Sequence, residues 1–309
     1  MVTLQGQTFG TVSYNIQYID EEGRVFKPQV DSILQAFNQC LSTYIPNSEI
    51  SRFNKKGLHK FEASYFYEVL NASMEVFMET KGAFDPTVGP LIDAWGFGPQ
   101  APIYPDSATV DSLLQFVAFD KVFFDSISVC RLKRGIELSF SAIAKGQGVD
   151  VVANYLRDQG MQDVLVEIGG EMTAYGHFAE QRPWIAGIED PNSPLEARNA
   201  MFRVALQDRA MATSGNYRNY YERNGRKYAH TIDPISGYPV QHNLLSATVF
   251  AENCMLADAY ATAFMVMGMA RSREVLSQHP ELDAVLIFDT GVDTLSYYIT
   301  PGILPSVLD

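Results

Sequence analysis

Short strand-like runs that arrive in adjacent groups constrain this chain more than any other feature. Val12, Tyr14, Ile16 and Tyr18 alternate with polar residues through 11–19, the period of a half-buried strand. Three short runs follow one another at 122–124, 129–132 and 136–140, with turn residues at Asp125-Ser126 and Arg134-Gly135 between them. Further runs stand at 164–168, 184–188, 202–206, 247–250, 284–288 and 295–299. Helical spacing is confined to fewer stretches: Pro28 to about Thr43, 63–80, the segment through Val149, Val152 and Leu156 that stops at Gly160, and 256–269. A doubly wound parallel sheet needs strand and helix in alternation. Strands in neighbouring groups instead predict an α+β fold with antiparallel sheets. No repeat and no clear linker divides residues 1–309, so one compact unit is expected.

Composition narrows the function classes. Hydrophobic residues make up 47% and charged residues 19% of 309, the balance of a folded globular chain. A net charge of −13 argues against wrapping nucleic acid or lying on an anionic membrane. It leaves room for an anionic ligand held by local amides or a cation. Cys40, Cys130 and Cys254 are widely spaced with no CxxC, so they are expected as small buried residues and not as a metal or disulfide set. The first residues lack a signal peptide's basic start and apolar core, and no run reaches the length of a membrane span.

Loops carry the chemical interest. His230-Thr-Ile-Asp-Pro-Ile-Ser-Gly-Tyr-Pro239 sets a histidine beside two prolines and a glycine. Pro234 biases Asp233 away from helix, and Gly237 permits a positive φ. Such a loop would hold His230 in one place, although by itself a structural turn with an incidental histidine is the simpler reading. The segment 82–99 is dense in glycine and proline yet apolar and aromatic, which suits either a packed loop beside a ligand or a core-filling loop. Residues 44–54 read as a loop turned by Pro46 and Asn47, and 99–105 as an exposed connection. Tyr220, Tyr221 and 223–227 read as a hairpin with Asn224-Gly225 at its tip. Gly146 and Gly148 open a helix after a strand and could present amides to phosphate, a weak signal without a Walker or GxGxxG pattern. Asp258 and Thr262 sit at i and i+4, so their oxygens share a helix face and could bind Mg²⁺; such a pair is also ordinary polar helix surface. His59, His177, His242 and His279 show no pairing and are expected at the surface.

Eight segments stand in this order: Gly6-Gln-Thr-Phe-Gly-Thr11, Ser48-Glu-Ile-Ser-Arg-Phe-Asn54, Ala83-Phe-Asp-Pro-Thr-Val-Gly-Pro90, Ala142-Ile-Ala-Lys-Gly146, Glu167-Ile-Gly-Gly170, Thr213-Ser-Gly-Asn216, His230-Thr-Ile-Asp-Pro-Ile-Ser-Gly237 and Ala257-Asp-Ala-Tyr-Ala-Thr262. Together they resemble the ApbE family of FAD:protein FMN transferases. The resemblance covers nearly the whole chain and implies an ApbE-like, T-fold-related α+β fold. It implies that FAD and Mg²⁺ are bound, that FMN passes to a Thr or Ser hydroxyl of a target protein, and that AMP leaves. Targets in the family are subunits of ion-pumping NADH or ferredoxin oxidoreductases (Nqr and Rnf). Most members face the periplasm, often as lipoproteins; the start of this chain carries no such signal, so a cytoplasmic location stays open. Some relatives hydrolyse FAD to FMN and AMP.

By position, the resemblance places Phe9, Tyr44, Ala83, Phe84, Asp85, Ser139, Lys145 and Ile232 against FAD. It assigns metal ligation to the Ala142 backbone oxygen, the Asp258 carboxylate and the Thr262 hydroxyl, and the general base to His230. Phe9 stands where the family commonly has methionine. Ser139 stands where it usually has a carboxylate that contacts FAD, so a hydrogen bond is kept there and a charge is lost. The leading expectation is a flavinyltransferase; an FAD pyrophosphatase with water as acceptor is the second, and Ser139 suggests a third, a non-catalytic flavin carrier. Splitting a diphosphate is limited by negative charge and alignment, which suits a cation clamp. A histidine with an unperturbed pKa of ~6.5 suits a base at neutral pH.

Overall fold

The computed structural model describes residues 1–308 except 99–102, 195, 196, 198, 218, 219, 224, 225, 292 and 293. The hairpin β1 (Val2–Thr8) and β2 (Val12–Tyr18) is followed by α1 (Lys27–Leu41), α2 (Glu49–Lys56), β3 (Leu58–Lys60) and α3 (Ser64–Glu79). Two short helices, α4 (Gly89–Trp95) and α5 (Ser107–Leu114), lead to β4 (Val122–Phe124) and β5 (Ser128–Arg131). Helix α6 (Ala144–Asp158) precedes the hairpin of β6 (Val164–Ile168) and β7 (Glu171–Tyr175), then β8 (Trp184–Glu189), β9 (Ala200–Leu206) and β10 (Arg209–Gly215). A small hairpin, β11 (Tyr220–Arg223) and β12 (Arg226–Ala229), comes next; its expected tip lies outside the described residues. The chain ends through β13 (Leu244–Ala251), α7 (Cys254–Gln278), β14 (Asp283–Asp289), β15 (Leu295–Ile299) and β16 (Val307–Leu308).

Eight strands form one sheet in the order β1-β2-β6-β7-β10-β13-β14-β15, and every neighbouring pair is antiparallel. This is the α+β arrangement expected. The central strands are buried on both faces, which is why they read as continuous apolar runs. Ala212, Val249, Ala284 and Leu286 pack against α7 and its neighbours. Their sequence neighbours Met211, Phe250, Val285 and Ile287 point the other way, onto Trp184, Ile188, Val204 and Leu206 of the small sheet β16-β9-β8.

Helix α7 is buried along most of its length. Ala257, Ala259, Ala261 and Ala263 let it lie close to the sheet, and a helix apolar all round belongs in a core. It breaks at Gly268, where φ is +70° and ψ 179°, a conformation restricted almost to glycine. The break frees the Met265 carbonyl, which accepts from His242 Nε2 at 2.8 Å. His242 Nδ1 in turn accepts from the Leu244 amide at 3.3 Å. The two contacts fix one neutral tautomer, and burial holds this imidazole below its usual pKa.

Several expectations fail for identifiable reasons. Within 44–54 the chain turns helical at Glu49. Ser48 Oγ accepts from the Ser51 amide at 3.1 Å, and Gly57 ends the turn at φ +80°, so the caps outweigh Pro46 and Asn47. Helix α5, capped by Asp106, was also not anticipated. Residues 136–140 are not a strand. Leu138 pairs instead with the side chain of Asn54, whose Oδ1 accepts the Leu138 amide and whose Nδ2 donates to its carbonyl, each at 2.8 Å; the Ser139 amide donates to Pro86 O at 2.8 Å. The four histidines are not bare surface groups. His59 pairs with Glu49 at 3.0 Å with side chains 9% and 5% exposed, and His177 bonds Gln207 at 3.0 Å. His279 sits between Glu281 at 2.8 Å and Glu79 at 3.1 Å, tying the ends of α3 and α7. Cys40 and Cys254 are buried as expected, while Cys130 is half-buried.

Two predictions follow from these joints. Gly268→Ala should cost about 2 kcal/mol or more, because φ +70° is strained for alanine and its Cβ would lie 2.9 Å from the His242 ring. Urea denaturation measures this, and an unchanged midpoint would contradict the geometry. Burial lowers the His279 pKa, but Glu281 and Glu79 overcome it and raise the group above its usual value. Its stabilisation is therefore complete below the unfolded pKa of about 6.5 and fades as pH rises through the higher folded value. His279→Gln should lower Tm by of the order of 1–2 °C near pH 6 and by nothing near pH 9.

Candidate functional site

The site forms where the N-termini of α6 and α7 meet. A Cβ at Gly146 would lie 2.2 Å from the Cys254 carbonyl oxygen, so only glycine allows this approach. Asp150, one turn further along α6, accepts from the Cys254 and Met255 amides at 2.9 and 2.8 Å. Asn253 Oδ1 takes the Leu256 amide at 2.9 Å. Three of α7's first amides are thus satisfied by side chains. Burial pushes the Asp150 carboxyl up to about 7 although those amides oppose it.

Asp258 stands one turn into α7 and is 3% exposed. Its Oδ2 accepts from the Gly146 amide at 3.1 Å. The amide expected to face a phosphate is therefore turned to a carboxylate. Gly148 has a packing role too, since a Cβ there would meet the Phe9 ring at 2.9 Å. Burial raises the Asp258 pKa, while Lys145 and the Gly146 amide pull against it. Thr262 lies one turn further, its Oγ1 3.1 Å from Ser214 Oγ of β10.

A cavity of about 430 Å³ opens beside these two residues. Ala83, Phe84 and Asp85 form part of its wall, with Ser139, Ala142 and Lys145 next to Asp258 and Thr262. His230 and Ile232 line it as well. Phe9 and Tyr44 line an adjoining cavity of about 230 Å³ that shares Ser139, Ser141 and Lys145 with the first. All twelve residues singled out from sequence thus border one or other of these two adjoining cavities. Tyr44 is at its rim, 77% exposed. Phe9, at φ +50°, packs on Phe37 with ring centroids 5.6 Å apart.

The segment holding His230 has the fixed shape its residues imply. Ile232 and Pro239 form an antiparallel bridge. Asp233 N donates to Tyr238 O at 2.9 Å, Gly237 N to Asp233 O at 2.8 Å, and the Ile235 amide to Asp233 Oδ1 at 3.0 Å. Gly237 has φ +78°, and Trp95 Nε1 of α4 donates to its carbonyl at 2.9 Å. Thr231 Oγ1 donates to Asn216 Oδ1 at 2.6 Å. His230 itself is half-buried, its ring edge-on to Phe97 at 6.3 Å. The described residues 82–98 contain α4 and serve both expected roles: Ala83, Phe84, Asp85 and Ile92 line the cavity, and Ala83 and Phe84 also belong to the core. Asp85 Oδ1 accepts from the Thr87 amide and hydroxyl at 2.7 and 2.5 Å, and burial raises this carboxyl to about 6.

Among the described residues no three His, Cys, Asp or Glu side chains gather as a metal cluster. The candidate set is of another kind: Asp258, Thr262 and Ala142 line one cavity and could offer a carboxylate, a hydroxyl and a main-chain carbonyl, all hard oxygens. That chemistry fits a small divalent cation. Sequence reasoning missed the supports of this set. Asp150 carries no motif of its own, and Ser214 and Asn54 lie inside resembling segments that gave them no role. Glu171, which pairs with Lys145, directly follows Gly169-Gly170, where the strand was expected to end.

Known proteins share this fold. The FAD:protein FMN transferase of Vibrio cholerae serotype O1 is 37% identical, over 98% of this chain and 92% of its own length. The FAD:protein FMN transferase of Haemophilus influenzae is 35% identical, over 90% of this chain and 84% of its own length. The flavin transferase ApbE structure from Vibrio cholerae superposes with a TM-score of 0.88 at 33% identity, covering 99% of this chain and 98% of that one. The apo flavinyl transferase ApbE of Pseudomonas stutzeri gives 0.88 at 30% identity, over 99% and 96%. The ApbE family model matches residues 9–286, and with these relatives it establishes that the chain belongs to the ApbE family.

Proposed function

We propose that this protein is a Mg²⁺-dependent FAD:protein FMN transferase that joins FMN through a phosphoester to a Thr or Ser hydroxyl and releases AMP. The observation that carries this reading is the convergence of Ala142, Lys145, His230, Asp258 and Thr262, from separate segments, on one cavity. The names of the relatives support it. The acceptor we infer from the family resemblance alone is a subunit of a redox-driven ion pump on the periplasmic side.

Asp258, Thr262 and the Ala142 carbonyl would hold Mg²⁺, which supplies charge neutralisation at the diphosphate when bound. Lys145 sits where its ammonium can reach a phosphate oxygen. Phe9, Phe84 and Ile232 offer apolar surface for the flavin, and Tyr44 can close over it from the rim. His230 takes the proton of the acceptor hydroxyl as that oxygen bonds the FMN-side phosphorus. The bond from this phosphorus to the bridging oxygen breaks, and AMP leaves with that oxygen. Proton removal by a placed base is worth roughly 10²–10⁴-fold.

Incubation with FAD, Mg²⁺ and a Thr-containing acceptor should add FMN covalently, seen by mass spectrometry of the acceptor. Free FMN and AMP with an unlabelled acceptor would make water the natural nucleophile and replace this reading with a pyrophosphatase. Asp258→Ala should lose Mg²⁺-dependent turnover by ~10²-fold or more; full activity would remove the cation from this turn of α7. His230→Ala should slow transfer by ~10²–10⁴-fold and leave FAD affinity, read by flavin fluorescence, near wild type. Equal transfer rates would clear His230 of the base role.

A further inference from the structure

Lys145 carries an ammonium that acts on two buried carboxylates. Its Nζ pairs with Glu171 Oε1, and it also acts electrostatically on Asp258. Burial works against its charge, yet Asp258 and then Glu171 hold it protonated. The Glu171 side chain is 2% exposed, and its second oxygen, Oε2, has no hydrogen-bond partner. One positive charge, on a side chain 34% exposed at the cavity, thus serves two buried negative ones, an arrangement left one charge short. Gly169, at φ +65°, turns the chain into Glu171, and a Cβ there would meet Val12 at 2.7 Å.

We propose that Glu171 is a positioning residue: it holds the Lys145 ammonium off Asp258, so that the Asp258 carboxylate stays available to a divalent cation. The inference rests on the cation site at Asp258 and Thr262 given above. Without Glu171, the carboxylate still acting on this half-exposed ammonium is Asp258, and the lysine becomes an internal competitor for the metal ligand. With Glu171 in place, the lysine is parked one side chain away and keeps its reach into the cavity, which it lines. Partners that orient ligands in this way are typically worth about 10–100-fold in metal affinity.

The test titrates Mn²⁺ into the full chain and follows loss of the free-ion electron paramagnetic resonance signal, with far-UV circular dichroism as the check on folding. Glu171→Gln should weaken Mn²⁺ binding about 10–100-fold. Adding Lys145→Met to that variant should restore affinity to within about threefold of wild type, because the competitor is gone. Wild-type affinity in Glu171→Gln overturns the inference. So does a double variant that stays weak, which would make Glu171 a ligand or a purely structural support. If Glu171→Gln does not fold, Lys145→Met alone decides: binding as tight as wild type or tighter supports the inference, and weaker binding overturns it. Asp258→Asn separates the two levels. Undiminished Mn²⁺ binding there removes the cation reading and this inference with it, whereas loss there beside an unaffected Glu171→Gln removes the inference alone.

Discussion

The approach of α6 to α7 at Gly146 is the constraint on which the rest depends. It brings two helix N-termini together, a place where unsatisfied amides favour negative charge. The chain answers with its own carboxylates, Asp150 on the first amides of α7 and Asp258 on the Gly146 amide. Acids gathered in one buried region repel, and Lys145, paired with Glu171, sets one positive charge among them. The local charge that matters for a phosphate-bearing ligand is therefore arranged within a few residues, in a protein that is acidic overall.

Around that crossing, the walls of the hollow come from distant parts of the chain and are held mostly by main-chain and capping contacts. The His230 segment is closed by its own turn and by Trp95. The 82–99 segment is closed by Asp85 on Thr87 and by Thr87 Oγ1 accepting the Ala118 amide at 2.8 Å. Loops fixed in this way are suited to ligand contact because little ordering remains to be done on binding.

Much of this was legible beforehand, for physical reasons. Strands such as 164–168 are strongly periodic and buried, so burial and pattern agree. The shape of the His230 loop followed from Pro234 and Gly237, whose backbone limits are local. What was missed depends on partners far away in sequence. Residues 136–140 have strand-like residues, but Asn54 supplies the pairing that a neighbouring strand would have given. Helix α2 was hidden by the turn residues before it, although Ser48 and Gly57 at its ends were the better signal. The histidines were misjudged because a pairing such as His279 with Glu79 spans the chain.

The way Asn54 and Pro86 grip the main chain around Ser139 has a consequence for how this enzyme can change. The backbone there is set by amide and carbonyl contacts that do not involve the residue-139 side chain. That side chain lines both cavities. A carboxylate, hydroxyl or amide at this position would therefore be felt by whatever occupies the hollow and scarcely by the scaffold. Position 139 is a place where drift in ligand preference is structurally neutral, so relatives can diverge there without first acquiring compensating changes elsewhere.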